Sequence, residues 1–326
     1  VIWWLGKALV GMGHQVSYLV RPGSSCPFAE VLPLDEKKPI AQQIPDDCDV
    51  AHLHFPVDEE LPKPNLTTLH GNFSKPRSFH PNSVFVSHDH ALRHGGKVFV
   101  HNGIDFADYG EPDLDNTRKY VHFLGKAAWR VKNVRGAIDI AGRAGERIHI
   151  IGGSRVNFRM GLRITLNQHA RFHGMLGGGG KNAIINGSKG LVFPVLWHEP
   201  FGLAIVESLY FGCPLFGTPY GSLPELMGRK INPEKEADQR SAALDAYYSD
   251  YGCLSQKKSD LVEAIQNAES YDRLRCHQYA VEQFSAEKMA KGYLRLYEQV
   301  LNGKQLHDQA PQLTESPPSK LLPMRE

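Results

Sequence analysis

The sequence predicts an α/β protein of two doubly wound, Rossmann-like domains, and three observations carry the prediction. Apolar runs of strand length alternate with amphipathic windows of helical period, which implies parallel sheets with helical crossovers. The alternation restarts after the polar stretch "DFADYGEPDLDNTRK", around residue 110. At 326 residues the chain is long enough for two domains, each with its own core.

The first half opens on "WWLGKALVGMG", a helix ending at glycine, followed by the strand "QVSYLV". "DVAHLH" and "NLTTLH" are strands that each end at a histidine, and "SVFVS" and "KVFVH" are two more. A doubly wound domain normally begins on a strand whose loop leads into the first helix. This sequence begins on the helix, so the N-terminal domain is expected to lack its first strand. In the second half "KYVHFLG", "RIHIIGG", "RFHGML", "GLVFPV" and "CPLFGTP" read as strands and "VRGAIDIAGRAG" as a helix, with helical windows "DLVEAIQNA" and "AEKMAKGYLRLYEQVL" after them. The expected organisation is a domain over 1–110, a second over 111–283, and a helix over 284–301 packing back on the first. A Pro-rich, polar, aperiodic tail over 302–326 is expected to be disordered.

Composition narrows the classes. Hydrophobic residues at 41% and charged residues at 22% are ordinary for a soluble globular protein. A formal charge of +2 is too mild for a nucleic-acid binder, but suits local basic patches for phosphates. No run approaches 18 apolar residues, so a spanning helix is not expected, and "VIWWLGKAL" supports at most peripheral membrane contact. The start lacks the features of a secretory signal. Five cysteines, odd in number and never in C-x-x-C spacing, read as reduced thiols of a cytoplasmic protein.

The stretch "WHEPFGLAIVESLYFGCPL" carries the chemistry. Glu199 and Glu207 have seven residues between them, and Glu207 sits in an otherwise apolar helix. Pro200 suits a first helical position and Gly212 the residue past the end, which predicts a helix over 200–211. Backbone N–H groups around Phe201, Gly202 and Leu203 are expected to face outward, and such an end attracts phosphate. Eight residues of helix span roughly 12 Å, at ~1.5 Å each. That is the reach of a diphosphate with a sugar on each end, so the spacing suggests one carboxylate per sugar. A glutamate with a buried structural partner is the plainer alternative.

"HEPFGLAIVESLYFGCP" followed by "GSLPEL" resembles the E-x7-E signature of the retaining glycosyltransferases of family 4. Those enzymes have the GT-B fold, two Rossmann-like domains facing across a crevice. "TLHG", "VHNGID" and "FLGKAAWRVKN" match further landmarks in the same order, and the resemblance covers residues 1 to about 300. It implies that Glu199 contacts the donor sugar, that Glu207 binds the nucleotide ribose and is satisfied when nucleotide is bound, and that His70 lies near the sugar. It also implies no metal: cationic side chains stabilise the leaving group, and the leaving phosphate helps deprotonate the acceptor on the front face.

A departing diphosphate needs positive charge where negative charge develops. Lys126, Arg130 and Lys132 follow a strand directly. The family spaces its two cations five apart, whereas Lys132 is six past Lys126, so Arg130 and Lys132 compete for the second role. Lys132 is favoured because it precedes Asn133 and the helix. Glu199 and Lys132 are expected on exposed loops, so that removing either spares the fold. Glu225, in "SLPEL", is expected to buttress the second glycine loop.

His52 and His54 share one face of a strand and could ligate zinc, but no third ligand has metal spacing. "GMLGGGGKN" fails as a Walker A loop at Met175 and Asn182 and reads as a flexible connection before the helix "NAIINGS". The expected function is transfer of a sugar, a hexose by resemblance, from a nucleotide-diphosphate donor to an unidentified acceptor hydroxyl. A non-catalytic or truncated sugar-nucleotide-binding remnant and a nucleotide-sugar epimerase are the alternatives.

Overall fold

The computed structural model describes residues 1–158, 163–229, 246–315 and 321–326. The chain divides into two compact units, Val1–Asp105 with Phe284–Pro318, and Phe106–Gln283 with Ser319–Glu326.

The first unit opens on α1 (Ile2–Gly11), whose Leu5 and Leu9 are buried one helical turn apart. Gly6 lets α1 approach β1 (Ser17–Val20): a Cβ there would stand 1.9 Å from the Tyr18 hydroxyl. β1 pairs in parallel with β2 (Glu30–Pro33). β3 (Ala51–Leu53) and β4 (Asn65–Leu69) come next, then the short β5 (Arg77–Ser78) and β6 (Ser83–Phe85). β3, β4 and β6 form a separate parallel sheet in that order. α2 (His88–Arg93) follows, capped by Ser87, whose hydroxyl accepts from His90 N–H. "KVFVH" forms no full strand; it contributes a single bridge, Phe85 to Phe99.

The second unit holds a seven-stranded sheet. Its elements begin with β7 (Tyr120–Leu124), α3 (Val134–Arg143), β8 (Ile148–Ile151) and a small antiparallel pair, β9 (Val156–Asn157) with β10 (Arg163–Ile164). β11 (Ala170–Phe172), α4 (Gly178–Asn186), β12 (Ser188–Phe193), α5 (Leu203–Tyr210), β13 (Leu215–Gly217) and α6 (Leu223–Leu226) continue it. β14 (Tyr247–Ser249), β15 (Gly252–Leu254), α7 (Lys258–Gln266) and α8 (Arg273–Phe284) complete it. The order is β11-β8-β7-β12-β13-β15-β14, parallel except where β14 meets β15. The first six strands reproduce the doubly wound 3-2-1-4-5-6 order, in which direction reverses between β7 and β12. Strands buried on both faces read as near-continuous apolar runs, which is why "YVHFL" and "GLVF" were legible.

α9 (Ala286–Leu301) returns to the first unit. Its Met289, Ala290, Tyr293 and Tyr297 recur at helical spacing and cluster with Leu5, Leu9, Leu66, Val84 and Val100. The segment beyond it is not the disordered tail expected from its composition. β16 (Gln312–Leu313) pairs antiparallel with β5, and Leu313 and His307 are buried. The last residues join the second unit, where Leu322 N–H donates to Leu196 O and Glu326 pairs with Arg143 and Lys258. Backbone pairing and a few apolar anchors outweigh a polar, Pro-rich composition here. Residues 316–320 of that expected tail lie outside the described residues, as do 159–162 and 230–245 of the expected second domain. Among the described residues no helix is long and apolar enough to cross a membrane. Cys213, Cys253 and Cys276 are free and buried, and burial pushes their thiols up to about 11, about 12 and about 12.

Candidate active site

Ligands of open α/β sheets bind outside the carboxyl ends of the strands where winding reverses. In the second unit that point is flanked by residues 125–133 after β7 and 194–202 after β12. The two loops are joined: Leu196 N–H donates to Val131 O at 2.7 Å, and Asn133 Nδ2 to Pro194 O at 2.9 Å. Asn133 is the one described non-glycine residue in the left-handed region, at φ 53°, a conformation Asn tolerates better than most residues. Its Oδ1 accepts from Gly136 N–H and caps α3. Lys132 is thereby fixed at the helix entrance.

Lys132 Nζ donates to Glu199 Oε2 at 2.5 Å, and Trp197 Nε1 donates to the same oxygen at 2.8 Å. The ammonium also lies 5.1 and 5.0 Å from the ring centroids of Phe193 and Trp197. Side-chain exposure is 12% for Lys132 and 9% for Glu199, so Glu199 is buried and Lys132 half-buried, not exposed as expected. Arg130 shares the short turn Arg130–Lys132 but is exposed, and Lys126 is exposed with its Nζ 5.0 Å over the Trp129 ring. Of the two cations competing for the second role, Lys132 is the one beside Glu199.

The Glu199 backbone is set by the second glycine loop. Glu199 and Gly221 form a parallel bridge, Ser222 N–H donates to Glu199 O at 2.9 Å, and Ser222 Oγ donates to Phe201 O at 2.5 Å. Residues 199–201 are drawn toward that loop instead of coiling, and Gly202 turns the chain at φ 96°. α5 therefore starts at Leu203, three residues later than expected, and straight-helix spacing does not apply across its first half. Phe201 and Gly202 are buried and Leu203 half-buried. The N–H groups of Gly202 and Leu203 have no partner among the described residues. Glu225, on α6, is buried.

A Cβ at Gly221 would stand 2.3 Å from Glu199 N and 2.4 Å from Glu199 O, with φ at +67°. Gly221→Ala is therefore expected to cost about 1–2 kcal/mol from the left-handed backbone alone, and more from the clash, shifting Glu199. A thermal melt that matches the parent would show that the two loops are not seated this way.

Glu207 has a protein partner on each carboxylate oxygen. Lys181 Nζ donates to Oε2 at 2.7 Å and Tyr109 hydroxyl to Oε1 at 2.8 Å. Lys181 Nζ also lies 4.6 Å from the Tyr109 ring centroid. Burial and the neighbouring Glu207 raise the Tyr109 phenol, which stays protonated as the donor. Lys181 arrives there because α4 begins at Gly178, so the glycine run forms its first turn and is not a flexible connection. Neither partner was found from sequence: Tyr109 lies in the polar stretch read as a linker, and Lys181 directly follows four glycines. An aromatic residue inside a polar run was the one available signal.

Two buried groups seat α5. Arg118 donates to Phe211 O at 2.8 Å and Ser188 O at 2.7 Å, placing a cation at the helix C-terminus. His122 joins Ser188 on β12 at 2.7 Å to Ser208 on α5 at 2.9 Å, and burial lowers it to about 3.

His70 belongs to the first unit. Its Nε2 meets His54 Nδ1 at 3.0 Å, and burial lowers both, His54 to about 3. Both ring nitrogens of His52 are engaged, by Tyr297 hydroxyl and by Thr68 Oγ1, each at 2.7 Å. Among the described residues no three His, Cys, Asp or Glu side chains gather as a metal site would require.

The avilamycin-biosynthesis glycosyltransferase AviGT4 superposes with a TM-score of 0.69 over 92% of this chain and 88% of its own, at 19% identity. Sucrose-phosphate synthase from Thermosynechococcus elongatus gives 0.62 over 92% of each chain, at 15% identity. The fold is GT-B. A further GT-B likeness is Anabaena HepE, whose structure with UDP-glucose gives 0.52 over 74% of this chain and 72% of its own, at 14% identity. Residues 118–250, which hold most of the strands of the second unit's sheet, match the family Glycosyl transferases group 1. No curated protein matches the chain by sequence.

Proposed function

We propose that this protein is a glycosyltransferase that moves a sugar from a nucleotide-diphosphate donor to an acceptor hydroxyl with retention. The observation that carries the reading is the Lys132–Glu199 pair beside the start of α5, at the reversal point of the sheet. There the two N–H groups of Gly202 and Leu203 and the Lys132 ammonium offer positive charge to a diphosphate, and the pair is already oriented before substrate arrives. Glu199 faces the donor sugar and Glu207 the ribose. Lys126 and Arg130, exposed on the same loop, add charge for the phosphates. His70 takes the sugar-contacting role that the resemblance implies. The departing phosphate oxygen takes the acceptor proton, the role that the resemblance implies.

The test is a thermal melt of the whole chain with UDP, GDP, ADP and TDP and their sugar conjugates. A ligand at 100 times its Kd stabilises by about 2.7 kcal/mol, or about 5–10 °C for a unit of this size. A shift with one base identifies the donor class. No shift with any of them defeats the proposal, and binding with no transfer to any acceptor returns the non-catalytic alternative.

A further inference from the structure

Residues 322–325 bond to the loops that follow four neighbouring strands of the second unit. Leu322 N–H donates to Leu196 O, after β12, at 2.9 Å, and Tyr220, after β13, donates its hydroxyl to Pro323 O. Arg325 makes two backbone bonds after β15: its N–H donates to Gln256 O at 2.7 Å and its O accepts from Lys258 N–H at 3.0 Å. Met324 Sδ accepts from Asn133 Nδ2, after β7, at 3.7 Å. β7, β12, β13 and β15 are consecutive in the sheet. Proline fixes its own φ and pushes the residue before it toward extended backbone, which straightens residues 322–323. From β12 to β15 is two strand spacings, roughly 10 Å, and an extended chain covers that distance in about three residues. Leu322 and Arg325 are separated by that many.

Three of these loops also seat the Lys132–Glu199 pair. Leu196 N–H donates to Val131 O, next to Lys132, and Asn133 Nδ2 also donates to Pro194 O. Tyr220 adjoins Gly221, which bridges to Glu199. Glu326 pairs with Arg143 of α3 and Lys258 of α7, but its side chain is 72% exposed. Such surface pairs add little, so the backbone bonds carry the hold. We propose that residues 321–326 act as a clasp that joins these loops and keeps Lys132 and Glu199 in register, with Tyr220, Leu322 and Met324 as positioning residues. Its consequence for binding rests on the proposed donor site. Glu207 is held by other bonds, from Lys181 and Tyr109, so loss of the clasp acts on the diphosphate end of the donor and spares the nucleoside end.

Hydrogen exchange of the parent and of a chain ending at Lys320 tests the clasp without any ligand. Amides of residues 131–133, 196 and 221–222 are expected to exchange about tenfold faster in the shortened chain, while those of β8 and β11 keep the parental rate. Calorimetric titration with UDP, GDP, ADP and TDP and the matching monophosphates reads the consequence. The diphosphate that binds the parent is expected to bind the shortened chain about tenfold more weakly, and its monophosphate within about threefold. Parental exchange at those loops overturns the inference. So does faster exchange throughout the sheet, or equal weakening of diphosphate and monophosphate, either of which makes the segment a structural prop only. If the shortened chain folds poorly, Tyr220→Phe, which removes the one bond to Pro323 O, is expected to give the same local pattern at smaller amplitude. Parental exchange in that variant also overturns the clasp. If no nucleotide binds the parent, the donor-site reading falls, and the exchange rates alone decide whether the loops are clasped.

Discussion

Lys132→Met is expected to lower turnover by about 10²–10³-fold, the range found when one donor to a developing charge is removed. It is also expected to destabilise the fold, because Glu199 then remains buried without its cation. Breaking one side of a buried ion pair costs about 3–5 kcal/mol, a large part of the stability of an ordinary domain. Loss of activity alone is therefore ambiguous. Combining Lys132→Met with Glu199→Gln removes both charges, and a urea melt of the double variant should recover most of the lost stability while turnover stays low. Recovery of turnover with stability would mean that the pair is only structural. Near-native turnover in either single variant would mean that the residue assignment is wrong.

Acidification from pH 7 to pH 5 is expected to weaken the protein strongly, through histidines held neutral. Burial lowers His54, His90 and His122 to about 3 each. In the unfolded chain each returns to about 6.5. Below that value the unfolded state binds protons that the folded state does not, so stability is complete above pH 6.5 and falls as pH drops toward 3. Each such histidine costs about 1.4 kcal/mol per pH unit in that window, or about 2 kcal/mol by pH 5. His54 and His90 both act on the first unit, and His122 on the second. Urea melts at pH 7, 6 and 5 measure the loss, and equal midpoints at the three values would show that these rings titrate freely. His122→Gln, which keeps hydrogen-bonding capacity without the titration, should flatten the second unit's dependence.

Five strands of the second unit's sheet were legible because they are apolar runs between amphipathic crossovers, whereas β14 and β15, of three residues each, were not read. The pair Glu199 and Glu207 was legible because turn residues bracket it. What surrounds each carboxylate was not. Lys132 lies 67 residues from Glu199, and Lys181 and Tyr109 lie 26 and 98 from Glu207, separations over which periodicity carries no information. The start of α5 was misplaced for a related reason. Pro200 satisfies a local rule for helix starts, but the bonds from Ser222 hold residues 199 and 201 in another conformation. The pairing of residues 312–313 with β5 likewise depends on a distant edge that composition does not reveal.

The indoles at the site have an optical consequence. The chain has four tryptophans, and two of them, Trp129 and Trp197, stand edge to face with ring centroids 6.3 Å apart. One donates its N–H to Glu199 and the other lies beneath the Lys126 ammonium. Indole emission responds to nearby charge and to the state of its N–H, and a ligand that engages Glu199 or Lys126 alters both. Binding of the proposed donor is thus expected to change the intrinsic emission of Trp129 and Trp197 in the unlabelled protein.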